Sequence, residues 1–400
     1  MVVSIRKIIV CFVIIILFFQ NPLEMHMSLF KYVDEILAAG GIVYCLCSIG
    51  RKRVSAHELM SLLFFIAFVF CGLLGNILYA DNSLGSIASD IFVCSKFFAV
   101  VYWGKHYIAY YLNEEISALG VMISKCLTIF ILGLTIADFI FKIWDSQVRY
   151  GVKSLKLFWG HSTYLAASLT FLMMILLLSR RKESIWILID AGLIALTLRS
   201  KAIAFSIIFV MLYLVEWNKK RKFKLWKIIP FVAIAFIIGL SNIMFYFFEI
   251  ENSARSILLR TSIQIANDYF PLGVGFASFG SNIANKTYGQ FYYQYGLNLL
   301  KETSKWNGFL NDSFWPCIIG QTGIIGSFFY ILTHFAIVKR IFTSELKNKH
   351  FFIGNIGIYT YLLLASIAEP AFNNSIAVPL GIMLGLFLGG SKRGEICSRN

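Results

Sequence analysis

Apolar runs of about twenty residues recur along most of this chain, and they restrict its fold more than any other feature. Of its 400 residues, 58% are hydrophobic and only 14% are charged, which is more apolar surface than a soluble domain needs. The net charge of +15 does not indicate nucleic-acid binding, because the basic residues lie in short clusters between the apolar runs. The sequence therefore predicts an all-α polytopic integral membrane protein.

The runs predict about twelve transmembrane helices and one long extracytoplasmic loop. The membrane domain is expected to cover residues 1–248, with the first nine helices, and residues 313–400, with the last three and a cytoplasmic tail. The loop is expected to cover residues 249–312. The predicted spans lie near residues 8–19, 29–49, 59–79, 86–111, 119–143, 160–179, 185–199, 200–217, 225–248, 313–338, 351–368 and 374–390. The charged residues Asp34, Glu35, Asp90, Lys96 and Asp190 interrupt the weakest of them.

The orientation of the spans follows from the basic residues in the loops. Arg6 and Lys7 precede the first apolar run and no small-residue cleavage site follows it, so we predict a retained helix and not a signal peptide. Alternate loops differ in Lys and Arg content, and the richer set includes residues 180–182 and 219–227. Loops of this kind face the cytoplasm, which places both termini inside.

Two cations, Arg199 and Lys201, stand inside the apolar stretch "LIALTLRSKAIAFSII". Each leg from the neighbouring cytoplasmic cations to this point is about 27 Å long as a helix, close to the ~30 Å of bilayer hydrocarbon. We therefore predict a tight helical hairpin over residues 185–217 with its basic tip at the external surface. The two cations either extend to the interface or form an anion site beside the start of the returning helix, and the sequence leaves both interpretations open.

Cofactor chemistry finds little support in the sequence. The eight cysteines lie mostly within apolar runs, and no histidine cluster accompanies Cys45 and Cys47, so neither a disulfide framework nor a zinc site is expected. No carboxylate cluster suited to a divalent ion lies on the predicted outer face. We expect no metal and no other cofactor.

Three motifs follow one another within residues 185–338. They are the hairpin "LTLRSKAIAF", the loop that carries Arg255 and Arg260 and runs to "FPLGVGFASFG", and the helix "LNDSFWPCIIGQTGIIGSFFYIL". Their order, their spacing and the predicted side of the membrane on which they lie resemble those of the O-antigen polymerase and O-antigen ligase superfamily of bacterial envelope enzymes. The histidine of the ligases is missing here, where Asp312 and Ser313 stand. The chain therefore resembles most the Wzy-type polymerases of capsular polysaccharide or exopolysaccharide.

The resemblance implies glycosyl transfer at the outer face of the bacterial cytoplasmic membrane. A glycan on undecaprenyl pyrophosphate would be transferred to a new lipid-linked repeat unit, with the pyrophosphate lipid as the leaving group. The implied partners are the undecaprenyl-pyrophosphate-linked oligosaccharide, membrane lipid, and a flippase and a chain-length regulator of the same pathway.

This chemistry assigns roles to seven residues. The pyrophosphate would be bound by cations, with Arg199, Lys201, Arg255 and Arg260 as candidates. The acceptor hydroxyl needs a base, with Asp312 as the first candidate and Glu369 or His161 next. His161 stands in "LFWGHSTYLAA", which is similar to a Gly-Phe-x-His-Pro-Asn element of the polymerases, although Pro and Asn are replaced.

Simpler interpretations of these residues remain open. Asp312 and Ser313 could cap the helix that follows, and Glu369 could be a solvated residue of a short turn. Four tyrosines of the loop could stack on sugars or form an interfacial belt, namely Tyr288, Tyr292, Tyr293 and Tyr295. As alternatives to polymerisation, an O-antigen-type ligase would use another acceptor, and a secondary transporter or flippase could share the same number of helices.

Overall fold

The computed structural model describes residues 5–48, 51, 54–179, 181–217, 253–299, 310–311, 313–343 and 349–390. The regular structure in these residues is almost entirely helical. The strands among them are two short segments, β1 Val148–Arg149 and β2 Val152–Lys153, which pair as an antiparallel hairpin. The prediction of an all-α membrane protein is confirmed.

Helices follow one another along the whole described part of the chain. The first five are α1 Ile5–His26, α2 Val33–Ser48, α3 Ala56–Tyr79, α4 Leu84–Trp103 and α5 Glu114–Phe141. After the strands come α6 Ser162–Leu176, α7 Ser184–Leu196, α8 Ser200–Trp217, α9 Ala254–Asp268, α10 Asn282–Thr287 and α11 Gln290–Gln294. The last three are α12 Phe314–Thr343, α13 Lys349–Ser366 and α14 Ala377–Gly390.

Five of the described helices are long and apolar enough to cross a membrane by themselves. They are α1, α3, α5, α12, and α4 with its continuation through a π-helical turn to Tyr111. The helices α6, α7 and α14 are apolar but only 13 to 15 residues long, which is shorter than a ~30 Å hydrocarbon layer requires. The predicted count of about twelve spans is therefore not supported. The predicted span 225–248 lies outside the described residues.

Four of the five charged residues that interrupt the predicted spans are buried and hydrogen-bonded, namely Asp34, Asp90, Lys96 and Asp190, whereas Glu35 is half-buried. The carboxylate of Asp34 on α2 lies 2.8 Å from the Lys96 ammonium on α4, and about 95% of each side chain is buried. Gln20 of α1 donates a hydrogen bond to the other Asp34 oxygen at 3.0 Å. Asp190 of α7 accepts a hydrogen bond of 2.8 Å from the Thr128 hydroxyl on α5. These polar contacts add to the apolar packing between the helices.

A segment of the predicted extracytoplasmic loop inserts between the membrane helices. We call residues 273–280 the glycine strap. Val274 donates its backbone N–H to the Gly320 carbonyl of α12 at 3.0 Å, and the Asn76 side chain of α3 pairs with both backbone groups of Phe276 at 2.8 Å each. The buried Asp90 carboxylate accepts a hydrogen bond of 2.7 Å from the Ala277 N–H. The strap thereby ties the loop to α3, α4 and α12.

The rest of the described loop forms α9, α10 and α11 around a small apolar cluster of its own. Leu258 and Ile265 of α9 pack there with Phe279 of the strap and with Tyr292 of α11. The Tyr292 side chain is fully buried, stacks on Phe279 at 5.9 Å and accepts a hydrogen bond from the Gly280 N–H. Tyr292 is thus a core residue of the loop. It neither stacks on a sugar nor belongs to an interfacial belt, so both predictions are wrong for this tyrosine. Tyr293 is exposed at the surface.

Helix α12 is interrupted where it meets the strap. Gly323 has φ +65° and ψ −164°, a backbone conformation that residues other than glycine rarely adopt. A Cβ atom at this position would also collide with the backbone of Leu272 and Gly273. Glycine is required at this break for two separate reasons.

We predict that Gly323→Ala lowers the stability of the purified protein by about 3 kcal/mol, because left-handed backbone strain adds to overpacking. Gly133→Ala on α5 is the matched control, since a Cβ atom there has no neighbour within 4 Å. Thermal unfolding in detergent measures both variants. Equal melting temperatures for the two variants would contradict the proposed close approach of strap and helix.

Candidate functional site

Helices α7 and α8 form the two legs of a hairpin, joined by a turn at residues 197–199. Leu198 adopts a left-handed backbone with φ 51°, which reverses the chain within this short connection. The Arg199 carbonyl accepts from the N–H groups of Ala202 and Ile203 at 2.8 and 2.9 Å, so the returning helix starts directly at the tip. Arg199 and Lys201 therefore lie at the N-terminal end of α8, as the sequence suggests.

The Arg199 side chain turns toward the start of α6. Its Nε donates a hydrogen bond of 2.7 Å to the hydroxyl of Ser162, and its Nη2 contacts Nε2 of His161. Ser162 is almost completely buried, which fixes the hydroxyl that receives the guanidinium. A cation beside a helix N-terminus opposes the helix dipole and is favourable only where an anion joins it.

His161 caps helix α6 and carries no charge at neutral pH. Its Nδ1 lies 3.3 Å from the Thr163 N–H, and its Nε2 faces the Arg199 guanidinium, which can only donate. Both contacts require a ring nitrogen that accepts a hydrogen bond. A neutral ring has one such nitrogen, so it satisfies one of the two contacts at a time. Loss of hydration lowers the pKa of His161 to about 4, and the positive charges nearby add to this, with Arg199 and Lys201 contributing most.

Lys201 joins the tip of the hairpin to two further elements. Its ammonium forms an ion pair of 2.6 Å with the Glu369 carboxylate, which follows the end of α13, and both side chains are almost 90% buried. Arg255 lies in the first turn of α9, close enough for its charge to act on Lys201. We call His161, Arg199, Lys201, Arg255 and Glu369 the basic cluster. It brings together three of the four predicted pyrophosphate ligands and two of the three predicted bases.

The two remaining candidates do not join this cluster in the described structure. Arg260 lies five residues after Arg255 on α9, is exposed and makes no hydrogen bond or ion pair within the described part of the chain. Arg260 is thus a predicted pyrophosphate ligand that the structure does not bring into the cluster. Asp312 lies outside the described residues. Trp315, near the start of α12, donates a hydrogen bond of 3.1 Å to Ser366 at the end of α13.

Sequence reasoning missed two cations next to the cluster, Arg149 and Lys156. Arg149 lies on β1 and Lys156 follows β2. The β-hairpin contacts the tip of the α7–α8 hairpin through Tyr150 and Ser200 at 3.3 Å. The charges of Arg149 and Lys156 also act on His161. The dipeptide Tyr150-Gly151, with both residues at positive φ, gives the sequence signal for this turn.

The arrangement favours an anionic ligand over a metal ion. Several cations gather at the N-terminal ends of α6, α8 and α9, where free backbone N–H groups add to the positive potential. Within the described residues, no group of three His, Cys, Asp or Glu side chains is placed to hold a metal ion. Comparison of the chain with protein-family models, with curated proteins and with solved structures gives no match. The chemistry of the site therefore has to be argued from its geometry.

Acidification should break the contact between His161 and Arg199, because a protonated ring cannot accept from a guanidinium. The folded-state pKa of about 4 lies below the ordinary value of 6.5, so the unfolded chain takes up the proton first. The contribution of His161 to stability is thus complete above pH 6.5 and is lost as the pH falls toward 4.

We predict that NMR titration of histidine-labelled protein shows one ring with a pKa near 4, which disappears in His161→Gln. Arg199→Ala should raise that pKa toward 6.5, whereas Lys286→Ala, an exposed cation on α10, should leave it unchanged. A wild-type His161 pKa near 6.5 would contradict the described surroundings of the ring.

Proposed function

We propose that this protein is a membrane-embedded polysaccharide polymerase that joins oligosaccharide repeat units carried on undecaprenyl pyrophosphate. The observation that carries the proposal is the basic cluster, in which Arg199 contacts a neutral His161 while Lys201 pairs with Glu369 within electrostatic range of Arg255. Cations suited to a diphosphate and groups suited to receive a proton thus meet at one end of the helix bundle. The resemblance of the sequence motifs to Wzy-type polymerases supports the same reaction.

The cations would bind the diphosphate of the donor lipid and stabilise it as it leaves. Guanidinium groups match phosphate oxygens with two parallel hydrogen bonds, and the positive end of the α8 dipole lies next to Arg199. Negative charge grows on the diphosphate as the bond to the sugar breaks. Fixed cations stabilise this charge without having to reorganise during the reaction.

The incoming diphosphate would also prepare the base. In the free protein the Nε2 lone pair of His161 faces Arg199. A diphosphate that binds Arg199 competes for the same guanidinium and releases that lone pair. His161 can then take the proton of the acceptor hydroxyl, while the hydroxyl oxygen bonds to the donor sugar and the diphosphate lipid leaves. Glu369 holds Lys201 in place, and Asp312 stays a candidate base outside the described residues.

This reaction requires the cluster to face outward from the bacterial cytoplasmic membrane. We propose that the cluster faces this side and that both termini are inside, as the basic residues of the alternate loops indicate. The ligase alternative would use the same cluster with a different acceptor. Transport is less well supported, since the strongest charge cluster lies at the end of the bundle and not midway along it.

Matched arginine variants on α9 test the assignment of the cluster. We predict that Arg255→Ala lowers the rate of repeat-unit transfer by about 100-fold or more, because a cation at the developing charge is lost. Arg260→Ala should keep at least half of the wild-type rate, since this side chain is exposed and lies outside the cluster. Transfer is measured with purified protein and lipid-linked repeat units. Equal losses in both variants would contradict the assignment.

Deletion of the gene separates the candidate functions. We predict that deletion leaves single lipid-linked repeat units without polymer, and that a plasmid encoding Arg199→Ala fails to restore polymer at a normal protein level. Polymer of full length that is not attached to its acceptor would indicate a ligase. Unchanged surface glycan would contradict both enzymatic functions.

A further inference from the structure

Tyr361 is a residue of α13 whose side chain is only 1% exposed. Its hydroxyl has no hydrogen-bond partner among the described residues. Buried phenols usually donate their hydroxyl hydrogen, because a phenol without a partner loses the hydrogen bonds that it makes with water. The proposed reaction assigns no role to Tyr361. This hydroxyl is therefore a buried donor that is available to a neighbouring acceptor.

The Tyr361 ring lies next to the tip of the α7–α8 hairpin. It packs edge to face on Phe205 at a ring-centroid distance of 5.1 Å, and Phe205 stands one helical turn after Lys201 on α8. On the other side, α13 ends at Ser366 and the chain then reaches Glu369. The charge of Glu369 acts on the Tyr361 phenol. The hydroxyl of Tyr361 and the buried carboxylate of the basic cluster are therefore neighbours.

Glu369 depends on Lys201 to compensate its charge. Its Oε1 lies 2.6 Å from the ammonium, both side chains are almost 90% buried, and no hydroxyl or amide of the described residues donates to this oxygen. A buried carboxylate without a partner is strongly unfavourable. In the proposed reaction the diphosphate also binds Lys201, which brings a like charge toward Glu369. The carboxylate then needs a second donor on its side away from the ligand.

We infer that Tyr361 is a positioning residue whose hydroxyl donates a hydrogen bond to Glu369 when a diphosphate binds Lys201. The inference rests on the proposed function and adds the group that holds this carboxylate in the complex. The hydrogen bond draws the carboxylate away from the ligand and leaves the ammonium to the diphosphate. Lys201 thus changes its partner while the buried charge of Glu369 stays compensated.

Binding of inorganic pyrophosphate to the purified protein tests this role without turnover. Tyr361→Phe should raise the dissociation constant about tenfold, because one hydrogen bond to a charged group is lost in the complex. In a Glu369→Met background, which lacks the acceptor, the same substitution should change the constant less than about twofold. An unchanged constant in Tyr361→Phe, or an equal rise in the Glu369→Met background, would overturn the inference.

Tyr359→Phe is the matched control for this measurement. Tyr359 is also buried on α13, and its hydroxyl likewise has no partner within the described part of the chain. Its ring lies against His334 and Phe97 and not against the hairpin. Tyr359→Phe should therefore leave the dissociation constant unchanged. A rise equal to that of Tyr361→Phe would overturn the inference, since it would show a general effect of removing a buried hydroxyl.

Thermal unfolding of the protein without ligand provides a second test. Lys201→Met removes the ammonium, so Glu369 has to take its other donor in the absence of any anion. Tyr361→Phe should not lower the melting temperature of the otherwise wild-type protein, but should lower that of Lys201→Met by a further ~2 °C. No further fall in Lys201→Met would overturn the inference. Absence of pyrophosphate binding to the wild-type protein would contradict the proposed function itself, so the two failures are distinguishable.

Discussion

The contact of Arg199 with Ser162 and His161 is the interaction on which the candidate site depends. It joins the tip of the α7–α8 hairpin to the start of α6, and it holds a cation where the helix dipole alone would repel one. Lys201 extends the same tip to Glu369, and thereby to α13. Four helices are thus positioned around a region of positive potential. Such an arrangement costs stability in the free protein and becomes favourable when a polyanion binds.

The glycine strap supplies the second constraint, because it determines where the loop helices lie. Arg255 stands at the start of α9, and the chain leaves α9 directly into the strap, which is hydrogen-bonded to α3, α4 and α12. The loop is therefore anchored in the membrane helices on one side, while on the other the charge of Arg255 acts on Lys201 at the hairpin tip. Close backbone approach at Gly273, Gly275 and Gly323 makes this anchoring possible. Loop and membrane domain act as one support for the site.

Much of this organisation could be predicted from the sequence, and the reasons are physical. Apolar runs predict membrane helices, and the spacing between the basic residues 180–182 and 219–227 predicts the tip of the hairpin near Arg199. The partners of that tip come from distant parts of the chain, such as Ser162 and Glu369, and no local pattern pairs them. The same limit applies to the glycine strap in "PLGVGFASFG". Its hydrogen-bond partners Asn76 and Asp90 lie about two hundred residues away in the sequence, so no local pattern predicts them. The sequence predicts short helices such as α7 and α14 as separate spans, because hydropathy alone does not report where a helix ends.

The proposed reaction requires the basic cluster to face the outer side of the cytoplasmic membrane. The most direct measurement is cysteine labelling in a cysteine-free background with a membrane-impermeant maleimide. Tyr150→Cys reports on the exposed β-hairpin that contacts the tip, and Arg181→Cys reports on the opposite end of α7. We expect the maleimide to label Tyr150→Cys in intact spheroplasts and Arg181→Cys only after permeabilisation. The reverse pattern would place the cluster in the cytoplasm and contradict the proposed reaction.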